Sequence, residues 1–174
     1  LVVMNGEIHS AQDVRKLDSE SISAFVSPKT GIVGRVFEQQ VVFYREPFKT
    51  PTFGVESFHK KVDLVYVTMG MDGSIVDFYL DRQTSGLVVA GFGAGNIPPA
   101  LVGPLKKAVE RNIPVLMTSR ADSGPALALY DYEGGGYQLE QMGILFSSRW
   151  SFLKGRLLLL CMVNSGMVLV QIRV

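Results

Sequence analysis

The arrangement that most limits what this chain can become is an alternation of short apolar runs and helix-spaced segments joined by glycine-bearing turns. Residues 62–67 (VDLVYV) read as a strand apolar enough to be buried on both faces. After a turn over 68–73, residues 74–83 carry helical spacing in Ile75, Phe78, Tyr79 and Arg82, with Asp72 at the end where the helix dipole favours an anion. Residues 87–90 form the second strand. The run Gly91-Phe92-Gly93-Ala94-Gly95-Asn96 follows, then Pro98 and Pro99 in a first helical turn, then Leu101, Leu105, Ala108 and Val109 on one helix face. Residues 114–117 are the third strand. A β-α-β-α-β order with short connections demands parallel strands, so the expected fold class is α/β: a small open parallel sheet with helices on both faces, a Rossmann-like three-layer arrangement. In such a sheet the loops 68–73, 91–97 and 118–125 gather along one edge and line one crevice.

Beyond the third strand, residues 137–143 suggest a helix, 144–146 a short strand and 151–162 a closing helix. The greasy stretch 157–174 is interrupted by Asn164, Ser165, Gly166, Gln171 and Arg173, which favours a buried helix followed by a strand over a bilayer span. Upstream, residues 1–44 are strand-like at both ends with a polar middle and do not make a complete domain. Residues 45–60, with Pro47, Pro51 and Gly54, read as a linker, and 61–174 as the sheet domain. The opening Leu1-Val2-Val3-Met4 reads as a strand already under way, so a fragment is expected.

Charge and chemistry narrow the function. Seventeen basic and sixteen acidic residues leave a net charge of +1, too balanced for a nucleic-acid or anionic-membrane partner. One cysteine, Cys161, and two histidines supply neither a disulfide nor an ordinary zinc set, so no metal or other cofactor is expected. Without a signal-peptide pattern the expected compartment is the cytoplasm. His9 and His59 read as surface residues with no serine or cysteine partner in any recognisable signature, and Trp150 and Cys161 read as core. Asp77 and Asp81, one helical turn apart, read as a solvated face. Thr68, Thr118 and Ser119 lie at strand ends without a nearby base and are assigned to turn hydrogen bonds. The glycine run fits a dinucleotide fingerprint poorly, because Asn96 stands where its third glycine would fall. Asn96 itself can accept from a ligand ammonium or, by default, cap the helix behind it.

Several stretches then spell a resemblance. Val3-Met4-Asn5-Gly6, Ala11 to Lys16, Ala24 to Pro28 and Tyr44 to Pro47 are similar to successive landmarks of the bacterial-type L-asparaginases. So, in order, are Val62 to Tyr66, Gly70-Met71-Asp72-Gly73, Gly91 to Ala100, Thr118-Ser119-Arg120 and Tyr132 to Gly136, over residues 2 to about 146. The resemblance implies that residues 1–44 finish an N-terminal asparaginase domain and 61–174 form the C-terminal one. It further implies hydrolysis of asparagine to aspartate and ammonia by a threonine nucleophile, at a site shared between subunits of a homotetramer. That nucleophile and its activating lysine belong to the missing N-terminal part, so no catalytic residue is assigned here and the chain alone is expected to be inactive. The residues that carry over are substrate anchors: Asn96, and an acid that is either Asp131 or Glu133. After about residue 147 the chain departs from the family's pattern, with Ser148-Arg149-Trp150 and an apolar ending in place of the usual closing-helix start.

Overall fold

The computed structural model describes residues 1–47, 49 and 51–166, in two compact units, Leu1–Thr52 and Phe53–Val174.

The first unit is antiparallel. Strand β1 (Val2–Met4) turns through Asn5 and Gly6, both at positive φ as a two-residue hairpin requires, into β2 (Glu7–His9). A small ribbon, β3 (Arg15–Lys16) with β4 (Phe25–Val26), precedes a second hairpin, β5 (Gly34–Phe37) and β6 (Gln40–Phe43). The larger sheet has the order β1-β2-β5-β6. His9 corrects the surface reading, because it is 1 % exposed. Its Nδ1 lies 3.0 Å from Ser27 Oγ and its Nε2 lies 3.6 Å from Glu7 Oε2. The strand alternation places Ile8 and His9 on opposite faces, yet both are buried, since residues distant in sequence cover them.

The second unit is the expected α/β sheet. Its elements run β7 (Asp63–Tyr66), α1 (Ser74–Asp81), β8 (Leu87–Gly91), a 3-10 turn (Pro99–Leu101), α2 (Val102–Glu110), β9 (Val115–Ser119), α3 (Gly136–Gln141), β10 (Leu145–Phe146) and α4 (Phe152–Asn164). The strands are parallel in the order β10-β9-β8-β7. Period-two alternation divides the sheet's side chains between two cores. Leu87, Val89, Val115 and Met117 meet Val76 and Leu80 of α1, Leu105 and Ala108 of α2, and Leu139 of α3. Val88, Ala90 and Leu116 meet Phe152 and Leu159 of α4. Each such fully buried aliphatic side chain contributes on the order of 1.5–3 kcal/mol.

Two expectations change here. The first strand is not buried on both faces: β7 is the last strand of the sheet among the described residues, and Tyr66 is 45 % exposed with its ring edge-on to Phe152. Trp150 and Cys161 are half-buried rather than core, Trp150 because it precedes α4 and its cap. The departure after residue 147 does not disturb packing: Ser151 Oγ accepts from Lys154 N to cap α4, and Phe152, Leu159 and Met162 are buried. The strand expected after this helix lies outside the described residues.

Candidate functional site

All four parallel strands end at one edge, and the loops that leave it are bound to one another. The glycine run after β8 folds back on itself: Phe92 N donates to Asn96 O at 2.8 Å, and Asn96 N and Gly95 N donate to Phe92 O at 2.9 Å. Gly95, at φ +109°, admits no side chain, since a Cβ there would lie 2.9 Å from Met117 Cγ and from Phe146 Cε1. A loop closed by its own backbone in this way does not open directly onto a helix N-terminus, which is what a dinucleotide fingerprint requires. The glycines serve the turn.

The loop after β9 locks the edge together. Ser119 Oγ donates to Gly93 O at 2.6 Å and accepts from Ala121 N, the turn bonding assigned to it, while Thr118 Oγ1 instead donates across the sheet to Val89 O of β8 at 3.0 Å. Arg120 was not singled out from the sequence. Its backbone N donates to Gly91 O, its Nη1 donates to Val67 O at 3.0 Å, and its guanidinium carbon stands 4.3 Å from the centre of the Phe92 ring. One cation thereby joins the ends of β7, β8 and β9. Nothing in local spacing marks it, because its partners lie 53 and 28 positions away. Asp72 Oδ1 accepts from Ser74 N and Ser74 Oγ at 3.0 and 2.6 Å, which holds its carboxyl below the ordinary value near 3.8. Asp77 pairs with Lys107 at 3.1 Å on an outer face.

Asn96 does not cap the helix behind it. Neither the 3-10 turn nor α2 has a side-chain cap, and Asn96 Oδ1 is buried without a hydrogen-bond partner. The intervening Ile97-Pro98 runs extended and carries the amide away from the helix end, Pro98 having φ −59° and ψ 143°. Next to Asn96, Ile97 N donates to Gly134 O at 3.0 Å, and Gly134 at φ +86° approaches so closely that a Cβ on it would collide with Ile97 O. Leu127 N donates to Ala94 O at 2.8 Å, which ties the same segment to the glycine loop. Asn96 and Glu133 are the residues that precede Ile97 and Gly134 in this bond. Asp131 lies two residues earlier on the same exposed turn. Among the described residues no group of three His, Cys, Asp or Glu side chains could hold a metal ion, and no helix is long and apolar enough to cross a membrane.

The chain is similar to known proteins over both units. Residues 61–174 match the model of the glutaminase/asparaginase C-terminal domain, and residues 1–49 that of the N-terminal asparaginase domain. A probable L-asparaginase of Deinococcus radiodurans is 35 % identical over 170 residues, covering 95 % of this chain and 51 % of that protein. An L-asparaginase of Bacillus licheniformis is 24 % identical, with coverage of 95 % and 51 %. A subunit of the glutamyl-tRNA(Gln) amidotransferase of Pyrococcus furiosus is 30 % identical over 69 % of this chain and 30 % of its own length. The chain spans about half the length of the two asparaginase relatives.

Proposed function

Since the chain belongs to the glutaminase/asparaginase family of amidohydrolases, we propose that it forms the C-terminal part of an asparaginase and supplies a substrate-anchoring wall to a neighbouring subunit's pocket in a homo-oligomer. The observation that carries this reading is the unpartnered Asn96 Oδ1 beside the turn that holds Glu133. A buried acceptor left without a donor costs about 1–3 kcal/mol, a deficit that a ligand's donor relieves. The α-ammonium of a free amino acid is such a donor, and it also calls for a carboxylate. Glu133 is preferred over Asp131 for that role because its neighbour Gly134 is bonded to the residue after Asn96.

These groups orient the substrate and break no bond. Attack on the side-chain amide falls to a threonine in polypeptide outside this chain, so the 174-residue chain by itself turns nothing over. The test joins the chain behind the N-terminal half of the Deinococcus radiodurans relative and measures ammonia released from L-asparagine. Asn96→Ala is expected to raise KM roughly 10–100-fold, the equivalent of one hydrogen bond to a charged group, with a smaller effect on kcat. Ammonia release by the unjoined chain overturns the reading.

A further inference from the structure

The turn between β1 and β2 holds a chemically reactive pair that the proposed function does not use. Of the chain's four asparagines only Asn5 precedes a glycine; Asn96 and Asn112 precede isoleucine, and Asn164 precedes serine. A glycine nitrogen is unshielded by any side chain, so it can attack the amide carbon of the preceding asparagine and close a five-membered ring. Asn5 is also exposed. Asn164, by contrast, is held at both ends of its amide: Oδ1 accepts from His59 N and Lys60 N, and Nδ2 donates to Lys60 O and Leu160 O.

Two features of the folded hairpin oppose the attack. Asn5 at φ +49° and Gly6 at φ +72° are both left-handed. Ring closure needs Asn5 Cβ and the Gly6 nitrogen eclipsed about the Cα–C bond, and a left-handed residue keeps them on opposite sides. Gly6 O accepts from Val36 N of β5 at 2.8 Å, which ties the turn to the sheet. The Asn5 side chain is tied as well, because its Nδ2 donates to Ser23 Oγ at 2.7 Å.

We propose that Asn5-Gly6 is a self-modification site, restrained by the hairpin and by Ser23 Oγ. When the turn opens, the Gly6 nitrogen bonds to Asn5 Cγ, the bond from Cγ to Nδ2 breaks, and Nδ2 leaves as ammonia with the proton the Gly6 nitrogen gives up. One water then opens the succinimide at either carbonyl and leaves aspartate or isoaspartate at position 5. Isoaspartate adds a methylene to the backbone of a two-residue turn whose length sets the pairing of Val3 with Ile8 and Met4 with Glu7, so β1 loses its register. The ammonia is released once per chain and without asparagine, so it is a blank to subtract in the test of the proposed function, on which this inference does not rest.

The test incubates the full 174-residue chain near neutral pH without asparagine and follows position 5 by peptide mapping and isoaspartyl methyltransferase labelling. Asn5 is expected to convert ahead of the other three asparagines, at least about tenfold more slowly in the folded chain than in guanidinium chloride, because it waits on local opening. Ser23→Ala should speed conversion in the folded chain roughly 2–10-fold, the equivalent of one hydrogen bond, whereas Ser23→Thr, which keeps the hydroxyl, should not. Both variants retain the backbone bond from residue 23 N to Ser21 Oγ, so the neighbouring turn persists. In the isoaspartate fraction the β1 amides should exchange faster than in the parent. Equal rates in folded and unfolded chain, a Ser23→Ala chain that converts no faster than the parent, or Asn5 left intact in the folded Ser23→Ala chain overturns the inference.

Discussion

Replacing Gly134 with alanine tests whether its contact with Ile97 is as close as described. At φ +86° an L-residue costs about 1–2 kcal/mol from its own backbone. The new methyl also meets Ile97 O, a backbone atom that cannot rotate away, and overpacking of this sort adds about 1–3 kcal/mol. The combined loss is about 2–5 kcal/mol. Gly124 isolates the second contribution, since it sits at φ +87° with nothing within 4 Å of the place a methyl would take, so Gly124→Ala should lose only about 1–2 kcal/mol. Urea unfolding followed through the fluorescence of Trp150, the chain's single tryptophan, reports on the unit that holds both glycines. With a urea slope of about 2 kcal/mol per molar, the Gly134 variant should unfold roughly 1–2.5 M earlier than the parent and the Gly124 variant less than about 1 M earlier. Equal losses in the two variants refute the close approach of Gly134 to Ile97, and with it the ground for preferring Glu133 over Asp131.

Arg120→Met keeps the stem but removes the bond to Val67 O and the cation over Phe92; a loss of about 2–4 kcal/mol is expected in the same urea experiment, and a loss below about 0.5 kcal/mol would show that the loops hold without it. Leu105→Ala empties a fully buried position of α2 and should cost about 2–5 kcal/mol, readable as a lowered Tm. The Asp72 carboxyl is held below its ordinary value by Ser74, so its contribution to stability is complete above pH 3.8 and disappears as pH falls through the lowered folded value. Asp72→Asn should therefore flatten the acid limb of the stability curve below pH 3.8; Asp18, lowered by the amides of Ser21 and Glu20, leaves a residual slope of the same sign. An acid limb unchanged by Asp72→Asn refutes that assignment.

The parallel sheet, its helices and the edge where the loops meet were legible in residues 62–146 because hydrophobic period is a local property: an alternating or continuous apolar run and an i, i+4 stripe each allow one kind of element, and their order allows one kind of sheet. Asn96 stood out for the same reason, as an amide in a glycine turn before two prolines. Strand position in the sheet was not legible, since the composition of β7 does not say whether a neighbour lies beyond Tyr66. Neither was the burial of His9, whose cover comes from residues remote along the chain, nor the bridging by Arg120, whose partners belong to two other strand ends. The same holds for the missing cap on α2: residue type permits Asn96 to cap, and only the extended path through Pro98 denies it. What the amino-acid order determined was every feature fixed by neighbours within one turn or one strand; tertiary structure alone decided which polar atoms found partners, because that depends on distances between segments that no local pattern encodes.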